Sequence, residues 1–330
     1  MRVAVVILNW NGKALLEEFL PYVLRFSPSG TRIFVADNAS TDESVAFVEG
    51  HFPEVNIIRH RENLGYAGGY NEALKDIEAD LYCLLNSDVE VTPGWLEPVI
   101  EHFQTHPGTV LAQPKILDYH RRTYFEYAGA SGGFVDTLAY PYCRGRMFGT
   151  LEEDRGQYDD AVPVFWASGA CLFARASAFE RLGGFDTTYV AHQEEIDLCW
   201  RAYNTGSRVY VLPRSKVYHV GGASLPADNP RKTFYNFRNS LFNLLKNAPC
   251  PSPKILLRLV LDGVAGVVFL LRGKPRHTVA VVRAHFSFYR HLPEMLNKRR
   301  KFPRKRGYAG IRSLLWKYYI AGKRHFQSLG

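Results

Sequence analysis

The chain has 330 residues, of which 46% are hydrophobic, 22% charged and 14% aromatic. That suits one large globular domain or two ordinary ones with a sizeable core, and argues against a low-complexity or repetitive polymer. The net charge of +9 is uneven: residues 251–330 hold 18 Lys and Arg against Asp262 and Glu294, a net of +16, while the first 250 residues carry −7.

Val3–Leu8 reads as a buried first strand. The apolar run from Met1 is too short for a signal-peptide core and meets no small-residue cleavage site, so a cytoplasmic location is expected. Strands over Arg32–Ala36, Val55–Ile58 and Leu81–Leu85 alternate with helices over Lys13–Arg25, Glu43–Phe52, Gly69–Ile77 and Gly94–Gln104. Such alternation predicts an α/β fold with a Rossmann-like, mostly parallel central sheet flanked by helices. Residues 111–165 are rich in Tyr, Gly and Arg and lack a clear period, so irregular strands are expected there. Periodicity returns at Phe165–Phe173 (strand), Arg175–Leu182 (short helix), Glu194–Asn204 (helix) and Val209–Val220 (strands), before Gly221-Gly222 breaks the chain. Helices are then expected over Lys232–Lys246, Ile255–Leu271 and Thr278–Asn297. The five cysteines are odd in number and widely spaced, with no metal-ligand or redox pair, so reduced and mostly buried thiols are expected.

Ligands bind such sheets at the carboxyl ends of the strands, and three loops there are unusually polar. The first is Asn9-Trp10-Asn11-Gly12. In the second, Asp37 to Asp42, a carboxylate can accept from a base or ribose, although Ser40 or Thr41 also suits a plain helix cap. The third, Asn86-Ser87-Asp88, offers one carboxylate and a neutral amide. Mg²⁺ or Mn²⁺ typically binds through one or two carboxylates plus substrate phosphates, so this turn suits a metal completed by a diphosphate; a polar strand-end turn is the plainer alternative. Between them, Asn63 to Asn71 is a glycine-rich start to a helix, where Gly65 permits close backbone approach to an anion. It matches neither the dinucleotide fingerprint nor the P-loop. His219 ends a strand; a lone histidine is usually structural, but a neutral imidazole there can add a metal bond. Glu194, Glu195 and Asp197 open a helix whose dipole tolerates them, and Leu198-Cys199-Trp200 turns the next face into the core. That anchors the acids rigidly, as a general base requires.

The ordered set resembles family 2 glycosyltransferases, the inverting GT-A enzymes, and especially their bacterial rhamnosyltransferase-like branch. The matching stretches are Val5–Gly12, Val35–Glu43, Asn63–Asn71, Leu84–Glu90, Trp166–Ala170, Leu182–Asp186, Gln193–Arg201, Val217–Gly222 and Tyr235–Asn239, covering roughly residues 1–245. The resemblance implies a nucleotide-sugar donor, with Asp37 on the base or ribose, Asn9 beside it, and Asn63, Gly65 and Asn71 in the neighbouring glycine-rich stretch. It implies Mg²⁺ or Mn²⁺ on Asp88 and His219, next to Asn86. It places the catalytic base at Glu195. Two positions depart from the family pattern. Asn86 stands where the first acid of the metal motif is usual, and Glu195 is one methylene longer than the usual Asp, so Glu194 and Asp197 remain alternatives. The expected reaction is a single displacement onto a glycan or lipid-linked acceptor in bacterial cell-surface polysaccharide synthesis. A non-catalytic nucleotide-sugar or glycan-binding protein on the same fold is the alternative, and a nucleotidyltransferase is a third.

Residues 1–248 are expected to form the catalytic domain and 249–330 a basic, helical region that associates with membrane. Ile255–Leu271 is short for a span and carries Arg258 and Asp262, which fits an interfacial helix. Lys298–Arg306 holds seven basic residues in nine, enough to retain a peripheral protein on the anionic inner face of the cytoplasmic membrane. No nucleic-acid partner is expected, because the catalytic part is acidic and holds no nucleic-acid-reading module.

Overall fold

Successive residues of the first strand, β1 (Val3–Asn9), point to opposite sides. Val3, Val5 and Ile7 enter one apolar core, while Ala4 and Val6 enter another. A strand with side-chain period two and both faces apolar must be sandwiched, and the rest of the sheet follows from it. The computed structural model describes residues 1–221 and 228–329; Gly222 of the expected glycine break lies outside them. The elements after β1 are α1 (Lys13–Phe26), β2 (Arg32–Asp37), α2 (Ser44–His51), β3 (Asn56–Arg59), α3 (Gly65–Ala73), β4 (Leu81–Asn86), β5 (Val89–Val91), α4 (Glu97–Thr105) and β6 (Thr109–Asp118). Short strands follow, β7 (Gly133–Val135), β8 (Pro141–Cys143), β9 (Arg146–Met147), β10 (Thr150–Leu151) and β11 (Val162–Val164), then β12 (Cys171–Arg175), α5 (Ala176–Arg181), α6 (Glu194–Asn204) and β13 (Arg208–His219). Four helices complete the chain: α7 (Pro230–Asn247), α8 (Pro251–Leu271), α9 (Pro275–Arg290) and α10 (Leu292–Arg299).

The main sheet runs β11-β13-β6-β12-β4-β1-β2-β3, with β5 added beside β13. Pairing makes β3, β2, β1, β4, β6 and β13 co-directional; β12, β11 and β5 oppose them. The expected mostly parallel α/β fold is therefore present. Register sets the site: Asn9 lies opposite Asp37, and Leu8 opposite Asn86. All three polar loops thus leave the same sheet edge. On β13, His219 pairs with Val89 and with Asp118, which carries it beside the Asp88 turn.

Four expectations are corrected. First, α3 starts at Gly65 rather than Gly69 and ends at Ala73 in a 3₁₀ turn. Its first turn is held from outside: Asn38 Oδ1 accepts from the Leu64 amide at 3.0 Å, and Asn63 Oδ1 from the Gly65 amide at 2.9 Å. Second, residues 109–118 form the long regular strand β6, not irregular structure. Its pattern is masked by buried polar side chains: Gln113 bonds the Gly129 carbonyl at 3.2 Å, and Lys115 is fully buried against Asp154 at 2.8 Å. Third, Phe165–Phe173 is not one strand. The chain must cross from the sheet edge at β11 to β12, past β13 and β6, so residues 165–170 leave the sheet. Fourth, Thr278–Asn297 is two helices, broken at His291; Pro293 has no N–H to continue the helical ladder and its ring crowds the carbonyl of Tyr289, four residues back.

Residues beyond 248 pack closely on the rest. Arg258 of α8 donates to the Leu138 carbonyl at 2.9 Å, Leu314 N to Asp136 at 2.8 Å, and Phe326 N to Glu152 at 2.8 Å.

Candidate active site

At the carboxyl ends of β1 and β2, Asn9 donates to Asp37 Oδ1 at 3.1 Å and the Ser40 amide to Asp37 Oδ2 at 3.0 Å. Both side chains are buried. Each carboxylate oxygen keeps a lone pair for a further donor. Asn9 Oδ1 has no partner among the described residues. Gly12 makes room for it, since a Cβ there would fall 2.5 Å from that oxygen. Asn38 ties this floor to the glycine-rich turn through Asn63 at 2.9 Å and the Gly65 carbonyl at 3.1 Å. Gly65 sits at φ +68°, a conformation L-residues avoid. Asn71 is engaged elsewhere: it donates to the Phe185 carbonyl at 2.8 Å and accepts from the Phe185 amide at 2.9 Å. It clamps a turn and does not face the floor.

The β4–β5 turn and the end of β13 meet at a second cluster. Asp88 Oδ1 lies 3.2 Å from His219 Nε2, and His219 Nδ1 lies 3.3 Å from Glu126 Oε2. All three are buried. Burial opposes charge on His219, but Glu126 and Asp88 together push the imidazole up to about 10. Burial likewise raises the Asp88 carboxyl, but the bond and charge of His219 hold it below its usual range. Cis donors on an octahedral ion with bonds of about 2.1 Å lie about 3 Å apart, so one divalent cation would fit between Asp88 Oδ1 and His219 Nε2, in place of the imidazolium proton that joins them without it. Glu126 Oε2, 3.3 Å from Nδ1, would then be the carboxylate placed to orient a ligating histidine from its outer nitrogen. Among the described residues no group of three or more His, Cys, Asp or Glu side chains is arranged around a metal. An ion here would need oxygens from a bound phosphate group. Asn86, half-buried at the end of β4, borders the turn.

The third component is the start of α6. Three non-glycine residues before it have positive φ: Val190 (66°), His192 (66°) and Gln193 (71°). Such backbone persists only when its surroundings over-determine it, and here α7 does so. Asn239 donates to the Ala191 carbonyl at 2.9 Å and the His192 carbonyl at 2.6 Å, and Arg238 to the Tyr189 carbonyl at 2.8 Å. Gln193 reaches back to Ser240 Oγ at 2.9 Å. This gives the Tyr235–Asn239 stretch a physical role: it holds the loop that presents Glu194 and Glu195.

The three acids of α6 differ. Asp197 is fully buried and engaged by Arg201 at 2.8 Å, Lys246 at 2.8 Å and Asn247 at 2.8 Å. It anchors α6 to α7 and is closed to a substrate hydroxyl. Glu194 is buried, with Oε2 unpartnered among the described residues. Burial, then the charge of Glu195, raises its carboxyl well above the usual range. Glu195 is only partly buried. Burial pushes its carboxyl up to about 7, against backbone hydrogen bonds that lower it. A carboxyl poised there can take a proton at neutral pH. Glu126 had no motif in the sequence; a buried acid next to Tyr127 gives no spacing signal.

The family described as glycosyl transferase family 2 has a model that matches residues 4–183. Among curated proteins, the chain is 25% identical over 229 residues to the N-acetylglucosaminyl-diphospho-decaprenol L-rhamnosyltransferase of Mycobacterium tuberculosis, covering 65% of this chain and 75% of that one. It is 29% identical over 212 residues to the pre-mycofactocin glycosyltransferase of the same species, covering 62% of this chain and 41% of that one. Among solved structures, S. aureus TarS 1–349 in complex with UDP-GlcNAc superimposes with a TM-score of 0.58 at 17% identity, covering 90% of this chain and 83% of that one. GalNAc-T7 with UDP, GalNAc and Mn²⁺ gives 0.60 at 13%, covering 76% and 49%. The fold is the GT-A type shared by these structures.

Proposed function

The chain belongs to glycosyl transferase family 2, and from that premise we propose that it moves a sugar from a nucleotide-diphosphate donor to a lipid-linked or other glycan acceptor, with inversion, in bacterial cell-surface polysaccharide synthesis. The observation that supports this reading is that one fold carries both a two-donor cation site (Asp88, His219) and, on the rigidly held start of α6, a carboxyl poised near neutrality (Glu195). Asp37 and Asn9 hold the nucleoside, and the Asn63–Gly65 turn closes over it. Mg²⁺ or Mn²⁺ on Asp88 and His219 would offset the charge that builds on the departing diphosphate. Glu195 accepts the acceptor hydroxyl proton as that oxygen attacks the anomeric carbon from the face opposite the diphosphate. Glu194, held neutral beside it, leaves Glu195 as the acceptor of the proton. Residues 1–248 carry this chemistry, and 249–330 bring it to the inner face of the membrane. The decaprenol-linked substrate in the name of the mycobacterial relative supports a lipid-linked acceptor.

The test is a nucleotide-sugar panel scored for thermal stabilisation with Mn²⁺ present, since a ligand that binds only the folded state raises the melting temperature. One donor should stabilise the wild type and not Asp88→Ala. A panel with no stabilising donor would overturn the reading. Asn86, neutral where an acid is usual, favours a second reading as a non-catalytic sugar-nucleotide binder. Donor binding without turnover would establish that one.

A further inference from the structure

Helix α8 is amphipathic in the reverse sense. Its buried positions are Arg258, Asp262 and Gly266. Arg258 bonds Asp262 at 2.7 Å and the Leu138 carbonyl, and stacks on Tyr140 at 3.8 Å from the ring centre. The polar face is therefore the one docked on the protein. The outward face is a stripe of Leu256 (67% exposed), Val260, Val264, Val267 and Leu271 (81%), the three-and-four spacing of one helix side. Helix α9 lies against α8 and adds Val279, Val282, Phe286 (72%) and Tyr289. A contiguous apolar surface of this kind marks an interaction site.

The charge around the stripe selects the occupant. Exposed Arg272, Arg276, Arg283 and Arg290 flank it. The two acids beyond residue 250 are unavailable to a partner, because Asp262 is buried on Arg258 and Glu294 pairs with Lys298 at 2.7 Å. A second copy would set one cationic rim against another; an anionic lipid surface complements it. No helix among the described residues is long and apolar enough to cross a bilayer, so α8 would lie along the surface rather than span it.

We infer that the outward faces of α8 and α9 seat this protein in the headgroup layer of an anionic bilayer; this deepens the membrane role in the proposed function and rests on the exposed stripe and its cationic rim. The Lys298–Arg306 run is a lesser part of this surface than its charge suggests. Lys298 pairs with Asp186 at 2.6 Å, and Arg299 donates to the Leu245 carbonyl at 2.7 Å and the Ala248 carbonyl at 2.8 Å.

The test is co-sedimentation of the full chain with phosphatidylglycerol-containing and phosphatidylcholine vesicles at about 0.1 M salt. Wild type should bind the anionic vesicles and bind the neutral ones at least tenfold more weakly. The exposed-face variant Leu256→Gln, Val260→Gln, Val264→Gln, Phe286→Gln should lose at least tenfold in affinity while keeping its circular dichroism and nucleotide-sugar binding. Equal sedimentation of variant and wild type, no binding by wild type, or a wild-type dimer that the variant abolishes would each overturn the inference. Donor binding is read separately, so failure of the proposed function leaves the vesicle result standing.

Discussion

With Glu195 as the proposed base, turnover should depend on pH, and the size of that dependence follows from the surroundings of this carboxyl. The partly buried carboxyl is raised from an ordinary 4.5 to about 7, with burial the largest cause. Protonated Glu195 cannot accept a proton, so activity is lost as pH falls through that value. About one molecule in ten is ionised at about pH 6 and about nine in ten at about pH 8, so kcat/KM should climb about tenfold between them. An unshifted carboxyl would give a flat profile over that window. Glu195→Gln should lower the rate by about 10²-fold or more and remove this limb, with donor affinity little changed. The assay is initial release of nucleoside diphosphate at subsaturating donor and fixed metal. A flat wild-type profile, or the same limb persisting in Glu195→Gln, would refute the assignment. A large effect of Glu194→Gln without one at Glu195 would move the base by one residue.

Two further outcomes follow from the geometry. Asp88→Ala should abolish Mn²⁺ binding measured by calorimetry with nucleoside diphosphate present, and Glu126→Gln should weaken it by about tenfold or more through loss of the Nδ1 partner of His219. Lys246 neutralises Asp186 and Asp197 at 2.7 and 2.8 Å inside the α6–α7 contact; Lys246→Met should destabilise the fold by about 3 kcal/mol in denaturant titrations.

The first half of the fold is legible because its strands are apolar runs and its helices have one apolar stripe. The loops at the strand ends follow from that, and register sets Asn9 beside Asp37 and, separately, His219 beside the Asp88 turn. Strand β6 was not legible because Gln113 and Lys115 interrupt its apolar pattern, and their partners at Gly129 and Asp154 lie far along the chain. The same limit hid Glu126, whose role exists only once β13 brings His219 beside it. Local spacing presented Asn71 and Asp197 as available, yet long-range contacts engage them at Phe185, Lys246 and Asn247. For α8 the sequence shows the apolar residues, but only the fold shows that the charged side is the one turned inward.

The most direct measurement of the central claim is the anomeric configuration of the transferred sugar, read by NMR on product made from a nucleotide sugar of known configuration. A single displacement with Glu195 as base predicts the opposite configuration at the anomeric carbon. Product that retains the donor's configuration would contradict it.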